Sequence, residues 1–577
     1  MTDHAAGSGA AAAPAGTRTA GMDGGLGSAV DWLLEEERSE RIARRALAVA
    51  VLVYCAWAVW LTRGSSFTFE EWIYVGESDG LTPDSILAPF GGHLIALTRL
   101  IFEASLGLFG PTHVPFQLLV IALAASTAVL LFVLVRRRVG PLAALAAAIL
   151  LLFLGSTPEV LHGWVTMWVQ ASCAGLGAFL ALDQRSRRGD ALACVLLILA
   201  VLAFSVGVAF AIGAAAWLLT ARRGRQIWVA GVPLILYGIW WLWALKFEED
   251  SQAAHNFLLS PVWAADSLAA AAAALTGLSI DLSSEPDLQS IPLGWGRVVA
   301  AAAVVLALRG VRRHGASPLL WGATVLLCAL WFGEALSHSL AGLTRRTPDL
   351  DRYAYPAAIG LVLVLAASFQ GWRPSRRALV TMFALVGLAL PANLWLMNER
   401  GKSIRAESDL ARARAGALEL GRDIVPDAFV FPFDPANACS RLVCGGIIPP
   451  SAGAYLGAVD RFGTFGDGIE EFANASEEQR QVADRSLGSI AAPKATAVDV
   501  GNLRCGRPAS EVPLPPGGAI VRAGSDGPLT LRRFAATPTV TAGRLRAGQP
   551  ATLVLPVDAA ARPWIASVRS GDLEICG

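Results

Sequence analysis

The sequence predicts a polytopic α-helical membrane protein of about eleven spans with a mixed, β-rich C-terminal domain on the extracytoplasmic side. Three observations carry that prediction. Membrane-length apolar runs recur through the first two-thirds of the chain, arginine clusters punctuate them, and from about residue 398 the chain turns polar and changes hydrophobic period. Of 577 residues, 54% are hydrophobic and 16% charged, and the mean hydropathy is +0.51. A formal net charge of +1 leaves no basic face beyond what membrane orientation needs, which excludes a nucleic-acid partner.

Residues 1–44 read as a cytoplasmic tail, rich in Ala, Gly, Ser and Thr up to about Ser28 and unable to bury enough surface to order itself. Arg38, Arg41, Arg44 and Arg45 precede the first apolar run, Ala46 to Leu61, and no small-residue cleavage site follows it, so the run is read as a retained span. Further clusters at Arg136 to Arg138, Arg185 to Arg188, Arg222 to Arg225, Arg309 to Arg313 and Arg373 to Arg377 mark cytoplasmic loops, because short basic loops resist translocation. Between them lie spans at Phe116 to Val135, Pro141 to Gly155, Trp164 to Leu182, Ile227 to Leu245, Gly294 to Leu308, Pro318 to Glu334, Ala354 to Phe369 and Ala378 to Met397.

Two segments need separate argument. Arginines flank both ends of Ala191 to Thr220, so it is read as a hairpin of two short helices turning near Ser205 and Gly207. Ala264 to Leu275 is apolar but is followed by Asp281, Glu285 and Asp287 with no Lys or Arg, so it is expected as an interfacial helix within an external loop, 246–292. The transmembrane domain is then 45–397, with a first external loop over 63–115. The C-terminal domain, 398–577, should open with an amphipathic helix, Ser403 to Leu420, and be β-rich from about residue 500, with strands at Ala519 to Arg522, Leu529 to Phe534, Ala551 to Val557 and Trp564 to Val568. Its four cysteines suggest two disulfides, Cys439 with Cys444 and Cys505 with Cys576 being one of three pairings; scattered free thiols are the alternative.

At the outer rim every cation is an exception to the positive-inside bias: Arg63, Arg99, Lys246, Arg297, Arg345, Arg346 and Arg352. Guanidinium and ammonium groups at headgroup depth suit a lipid-linked phosphate, or simply anionic lipid headgroups. The first external loop reads Ser65-Ser66-Phe67-Thr68-Phe69-Glu70-Glu71-Trp72, then Gly91-Gly92-His93-Leu94, then Leu108-Phe109-Gly110-Pro111. Glu70 and Glu71 are the best candidates for chemistry, with a solvated pair or a salt bridge to Arg63 or Arg99 as the structural alternative. His93 can hydrogen-bond a phosphate, accept a proton or ligate a metal, or serve as a structural donor. Gln170, Glu159 and Glu334 lie near outer span ends, either lining a polar cavity or meeting water; Trp164, Trp168, Trp240, Trp241 and Trp243 fit an interfacial belt.

That order of retained span, aromatic-acidic-acidic loop, glycine-histidine and Leu-Phe-Gly, together with Asp351-Arg352-Tyr353 opening a late span, resembles the GT-C superfamily of polyprenyl-phosphate-sugar-dependent membrane glycosyltransferases. The resemblance implies a GT-C-like bundle with an external C-terminal domain, and an acidic residue of the first external loop acting as base or, in some branches, as metal ligand. Many members carry aspartate where this chain has Glu70 and Glu71. It further implies a polyprenyl-phosphate sugar donor, a glycan, lipid or protein acceptor, and a location in the cell membrane. His93, Arg99, Lys246, Arg346, Arg352 and Tyr353 are then the expected substrate contacts. No cofactor is fixed; no metal ligand set is assigned, and a divalent metal requirement is left open.

The physical reading runs beside it: a carboxylate at the membrane rim can deprotonate an acceptor hydroxyl attacking an anomeric carbon, while phosphate leaves without a strong acid. Adjacent residues point apart on regular structure, so one of the two glutamates is expected to face the pocket. A lipid-linked-sugar flippase would need charge at mid-membrane, where the spans offer almost none. A non-catalytic envelope scaffold would lack a cavity at the rim.

Overall fold

The computed structural model describes residues 36–68, 70–76, 82–247, 253–280, 288–338, 346–430, 451–501, 503–558, 562–569 and 571–577. The tail up to residue 35, Arg345, Cys439 and Cys444 lie outside the described residues. Eight helices among those described are long and apolar enough to cross a membrane, and Pro141–Leu152 and Val206–Thr220 are shorter apolar helices beside them. Helices occupy each expected span, and the Ala191 to Thr220 run divides into Arg187–Ala203 and Val206–Thr220. The division falls at Phe204 and Ser205. Gly207 lies so close to Ala200 that a Cβ there would stand 2.2 Å from its carbonyl carbon, so glycine permits the tight turn.

The basic clusters gather at one end of the bundle. Arg137 donates to Asp183 at 2.9 Å, Arg223 to the carbonyl of Leu182 at 3.1 Å, and the Gly371 amide to the carbonyl of Arg138 at 2.8 Å. All these loops therefore lie together, as the arginine pattern requires.

The segment expected as an interfacial helix is placed differently. Ser260–Thr276 packs against Gly294–His314, Pro318–Leu336 and Asp351–Ser368, and Ala269 to Ala274 are no more than 2% exposed. An alanine surface has no bulky face to lay on lipid, but it lets neighbouring backbones approach: a Cβ on Gly296 would meet the carbonyl oxygen of Ala269 at 2.3 Å. Both flanks of this helix return to the end of the bundle opposite the basic clusters. The Ala253 amide donates to the carbonyl of Leu336 at 3.0 Å and that of Ile291 to Asp349 at 2.8 Å. The helix is buried inside the bundle, yet it enters and leaves at one end.

The last span and the amphipathic helix are one continuous helix, Arg376–Leu420, of 45 residues. The residues between them, Asn398 to Lys402, include no proline, and Gly401 sits against Leu61, where a Cβ would be 3.0 Å from the leucine Cβ. Beyond it come helices Ala452–Phe462, Ile469–Asn474 and Glu477–Ala491, the last opened by a Ser476 and Gln479 capping box.

The strands are β1 (Lys494–Ala497), β2 (Glu511–Pro513), β3 (Gly518–Ala523), β4 (Gly527–Arg532), β5 (Val540–Leu545), β6 (Pro550–Val554), β7 (Ile565–Val568) and β8 (Leu573–Cys576). They form two four-stranded sheets, ordered β1-β6-β3-β8 and β2-β7-β4-β5, with every pair antiparallel. Alternate residues such as Leu529 and Leu531 point into the core, where they meet Val521, Leu553 and Leu573. Cys505 and Cys576 form a disulfide. The Asp484 carboxylate accepts from the amides of Arg533, Phe534 and Ala535 at 2.8 to 3.0 Å, tying helix Glu477–Ala491 to the turn after β4.

Candidate functional site

At the end of the bundle away from the basic clusters is a cavity of about 220 Å³, lined by Glu70, His93, Arg346, Arg352 and Tyr353 together with Trp168, Ser205 and Glu334. Five residues singled out for chemistry or binding in the sequence thus meet in one place. Five segments far apart in the chain supply this lining: the first loop, helix Thr166–Asp183, the break between two short helices, the end of Pro318–Leu336 and residues 346–353.

Glu70 and Glu71 diverge because a helix begins between them. The carbonyl of Glu70 accepts from the Ile73 amide at 3.0 Å, while Glu71 is the first residue of helix Glu71–Gly76. Glu71 turns inward: its Oε2 accepts from the Thr68 amide at 2.8 Å, and its Oε1 lies 2.9 Å from His113 Nε2. His113 Nδ1 in turn lies 2.9 Å from Ser65 Oγ. A Cβ on Gly163 would stand 2.4 Å from Glu71 Oε1 and 2.8 Å from His113 Nε2, so no space is left beside that pair. Glu71 is 1% exposed and takes no part in the cavity wall.

Glu70 faces the other way and lines the cavity. Its Oε2 is buried with no hydrogen-bond partner. Burial pushes its carboxyl up to about 7, against the pull of Arg352 and Arg346 and with a smaller push from Glu71. A carboxyl held there is poised to exchange a proton near neutral pH.

His93 is held by a two-residue turn in which Gly91 and Gly92 have φ of +53° and +79°, conformations that favour glycine at both positions. The amides and carbonyls of Phe90 and His93 pair across it at 2.9 and 3.0 Å. His93 Nδ1 lies 2.9 Å from Ser205 Oγ, and its ring packs on Phe204 at 4.5 Å. Burial first, and then the two arginines, lower its pKa to about 3, so the ring is neutral at physiological pH. It can pass a hydrogen bond to a ligand but does not serve there as a cation.

Arg352 is fixed from behind. Asp351 Oδ1 accepts from the Arg352 amide at 2.7 Å, and Asp351 Oδ2 from Arg400 at 2.7 Å. Arg400 also donates to the carbonyls of Gly155, Ser156 and Leu288 at 3.0, 2.8 and 2.7 Å. The Arg346 carbonyl accepts from His338 Nδ1 at 2.9 Å. Trp168 lies between Phe204 and Tyr353, with ring centroids 4.5 and 5.6 Å away.

Two expected contacts are elsewhere. Arg99 is buried and donates to the carbonyls of Ile86 and Ala88, bracing the first loop. Lys246 pairs with Asp84 at 3.3 Å and sits 4.0 Å over the Trp243 ring, half exposed. Glu159 is fully buried apart from the cavity, and burial beside Asp351 raises its pKa well above the usual carboxylate range. Among the described residues, the group whose donor atoms converge as a metal site would need is Cys505, Glu574 and Cys576, and its two sulfurs are already joined. Glu70, His93 and Glu334 do not form such a group.

Sequence reasoning did not single out His113, Ser65, Ser205 or Arg400. His113 follows the Leu-Phe-Gly-Pro turn closely enough to have been tested as a partner for the acidic pair. Arg400 carried no signal, because three of its partners are backbone carbonyls and the fourth, the Asp351 carboxylate, is 49 residues away in the sequence.

The C-terminal stretch of the long helix clamps the first loop in place. Arg405 donates to the carbonyl of Leu61, Arg412 to that of Gly64 at 2.8 Å, and the Ser66 amide to Ser408 Oγ at 2.9 Å. Phe465 of the C-terminal domain packs on Phe67 and Trp72 at 5.4 and 5.9 Å.

No protein-family model matches the chain, and no curated protein does. A solved structure that it resembles is the archaeal oligosaccharyltransferase AglB from Archaeoglobus fulgidus, in complex with an inhibitory peptide and a dolichol-phosphate. The two share 12% identity over 74% of this chain and 69% of that one, at a TM-score of 0.34. So loose a likeness assigns no activity. The functional reading rests on the cavity.

Proposed function

We propose that this protein is a GT-C-type glycosyltransferase that moves a sugar from a polyprenyl-phosphate donor to a glycan, lipid or protein acceptor on the outer face of the membrane. The observation that carries the reading is the meeting, in one rim cavity, of an orphaned carboxyl oxygen on Glu70 with two arginines, Arg346 and Arg352. The arginines supply the charge that a phosphodiester headgroup needs, and Glu70 supplies a base. The gathering of the arginine clusters at the opposite end supports an extracytoplasmic cavity and C-terminal domain by the positive-inside rule.

In the reaction, the acceptor hydroxyl gives its proton to the Glu70 carboxylate as its oxygen bonds to the anomeric carbon. The bond from that carbon to the phosphate oxygen breaks, and its electron pair leaves on polyprenyl phosphate, held by Arg346 and Arg352. His93, neutral and anchored to Ser205, offers a hydrogen bond without adding charge. The test is transfer of labelled sugar from polyprenyl-phosphate donors in membranes containing the wild type or Glu70→Gln. Transfer by the wild type that the substitution abolishes is expected; undiminished transfer by Glu70→Gln removes the base.

A further inference from the structure

The cavity contains a second carboxylate to which the reaction above gives no task. Glu334, in the last turn of Pro318–Leu336, is 7% exposed and lines the cavity. Its Oε2 accepts from Trp263 Nε1 at 3.2 Å, while its Oε1 is buried with no hydrogen-bond partner. Trp263, itself buried, packs edge-on to His338 at 5.5 Å and to Tyr353 at 6.0 Å. Trp263 thus holds the Glu334 carboxyl group from one side. Of its neighbours on the same wall, Ala329, Leu330 and Gly333 bring no side-chain donor, and the Ser337 hydroxyl donates to the Gly333 carbonyl at 3.5 Å.

We infer that Glu334 Oε1 accepts a hydrogen bond from a hydroxyl of the sugar being transferred, and so selects which sugar the cavity admits. This rests on the transferase reading. A buried acceptor without a donor is an arrangement that a ligand relieves. A sugar suits it on three counts. Its hydroxyls are neutral donors, which leave Arg346 and Arg352 to the phosphate. Trp168 and Tyr353 both line the cavity and give it an apolar wall for a ring. The volume, about 220 Å³, falls below the 300 to 1,000 Å³ of pockets that take drug-sized ligands, so it suits one ring and not an oligosaccharide. A site that bonds a hydroxyl through a fixed buried acceptor rejects analogues that lack it.

The test is lipid binding by the full chain in nanodiscs, with sugar-free polyprenyl phosphate as one probe and polyprenyl-phosphate glucose, mannose, galactose and arabinose as the others. The wild type is expected to bind one sugar-bearing lipid more tightly than the sugar-free one. Glu334→Gln, which keeps an acceptor for Trp263, should lose about tenfold or more of that preference while its affinity for sugar-free polyprenyl phosphate stays unchanged. Gly333→Leu serves as a second variant, because Gly333 lines the cavity and a Cβ there meets nothing within 4 Å, so the added bulk enters open space beside the site. It too should lose the preference at an unchanged unfolding temperature. A wild-type preference that survives in both variants overturns the inference and leaves the transferase reading standing. A wild type that binds none of the five lipids takes the transferase reading down, and the inference with it.

Discussion

Two polar clusters lie one residue apart at the same end of this bundle, and they are built on opposite terms. Around Glu71, both carboxylate oxygens have partners, His113 is held at both ring nitrogens, and Gly163 leaves no space for anything more. Around Glu70, a carboxyl oxygen is orphaned, another is orphaned on Glu334, and both residues line one cavity with two arginines. Completed hydrogen bonding marks the first as scaffold; incomplete bonding beside open space marks the second as a place for a ligand.

The sharpest way to break that comparison is to exchange the effects of the two glutamates. Glu70→Gln should lower transfer by about 100- to 10,000-fold, the range supplied by a general base, with the thermal transition in detergent unchanged. Glu71→Ala should do the reverse in kind: it strands His113 and the Thr68 amide in a buried space, and leaving a buried polar group without its partner costs about 1–3 kcal/mol. A clear drop in unfolding temperature is expected, larger than for Glu70→Ala. Equal stability losses in the two alanine variants would erase the distinction.

The pH profile sharpens it further. Burial raises the Glu70 carboxyl to about 7, and the base acts only when ionised, so transfer should fall as pH drops through about 7 and level off above it. A limb near the ordinary carboxylate range would mean that Glu70 is not the titrating base. Arg400→Lys should reduce transfer without abolishing it, because Asp351 would keep a cation but the carbonyls of Gly155, Ser156 and Leu288 would lose their planar donor; the split between KM and kcat reads how far Arg352 has shifted. The smallest effect belongs to Lys246→Ala. Its exposed pair with Asp84 is worth about 0–1 kcal/mol, and neither transfer nor donor binding should change measurably.

Much of the helical plan was legible because lipid and positive-inside sorting act on composition, which a sequence displays directly. Every expected span has its helix, and the turn near Ser205 falls at its expected place. Alanine defeated the same logic over Ser260–Thr276: its value there lies in small size against Gly296, which hydropathy does not register. In the C-terminal domain, β3, β4, β6 and β7 were readable, while β1, β2, β5 and β8 were not, although β5 is as long as β3 and β4. At the site, Glu70, His93, Arg346, Arg352 and Tyr353 could be proposed from residue type and position at the rim. That Arg99 and Lys246 stand elsewhere could not, since their partners are a loop carbonyl and an aspartate brought in by tertiary structure.

Arg400 gathers oxygens from residues 155, 156, 288 and 351, and every one of them leaves the ribosome before it does. The brace behind Arg352 therefore closes only once the final apolar helix has been handed to the membrane. Until then a nascent chain already carries all the rim residues but has nothing to hold them in register. Biosynthesis itself withholds a finished pocket from any partly inserted polypeptide.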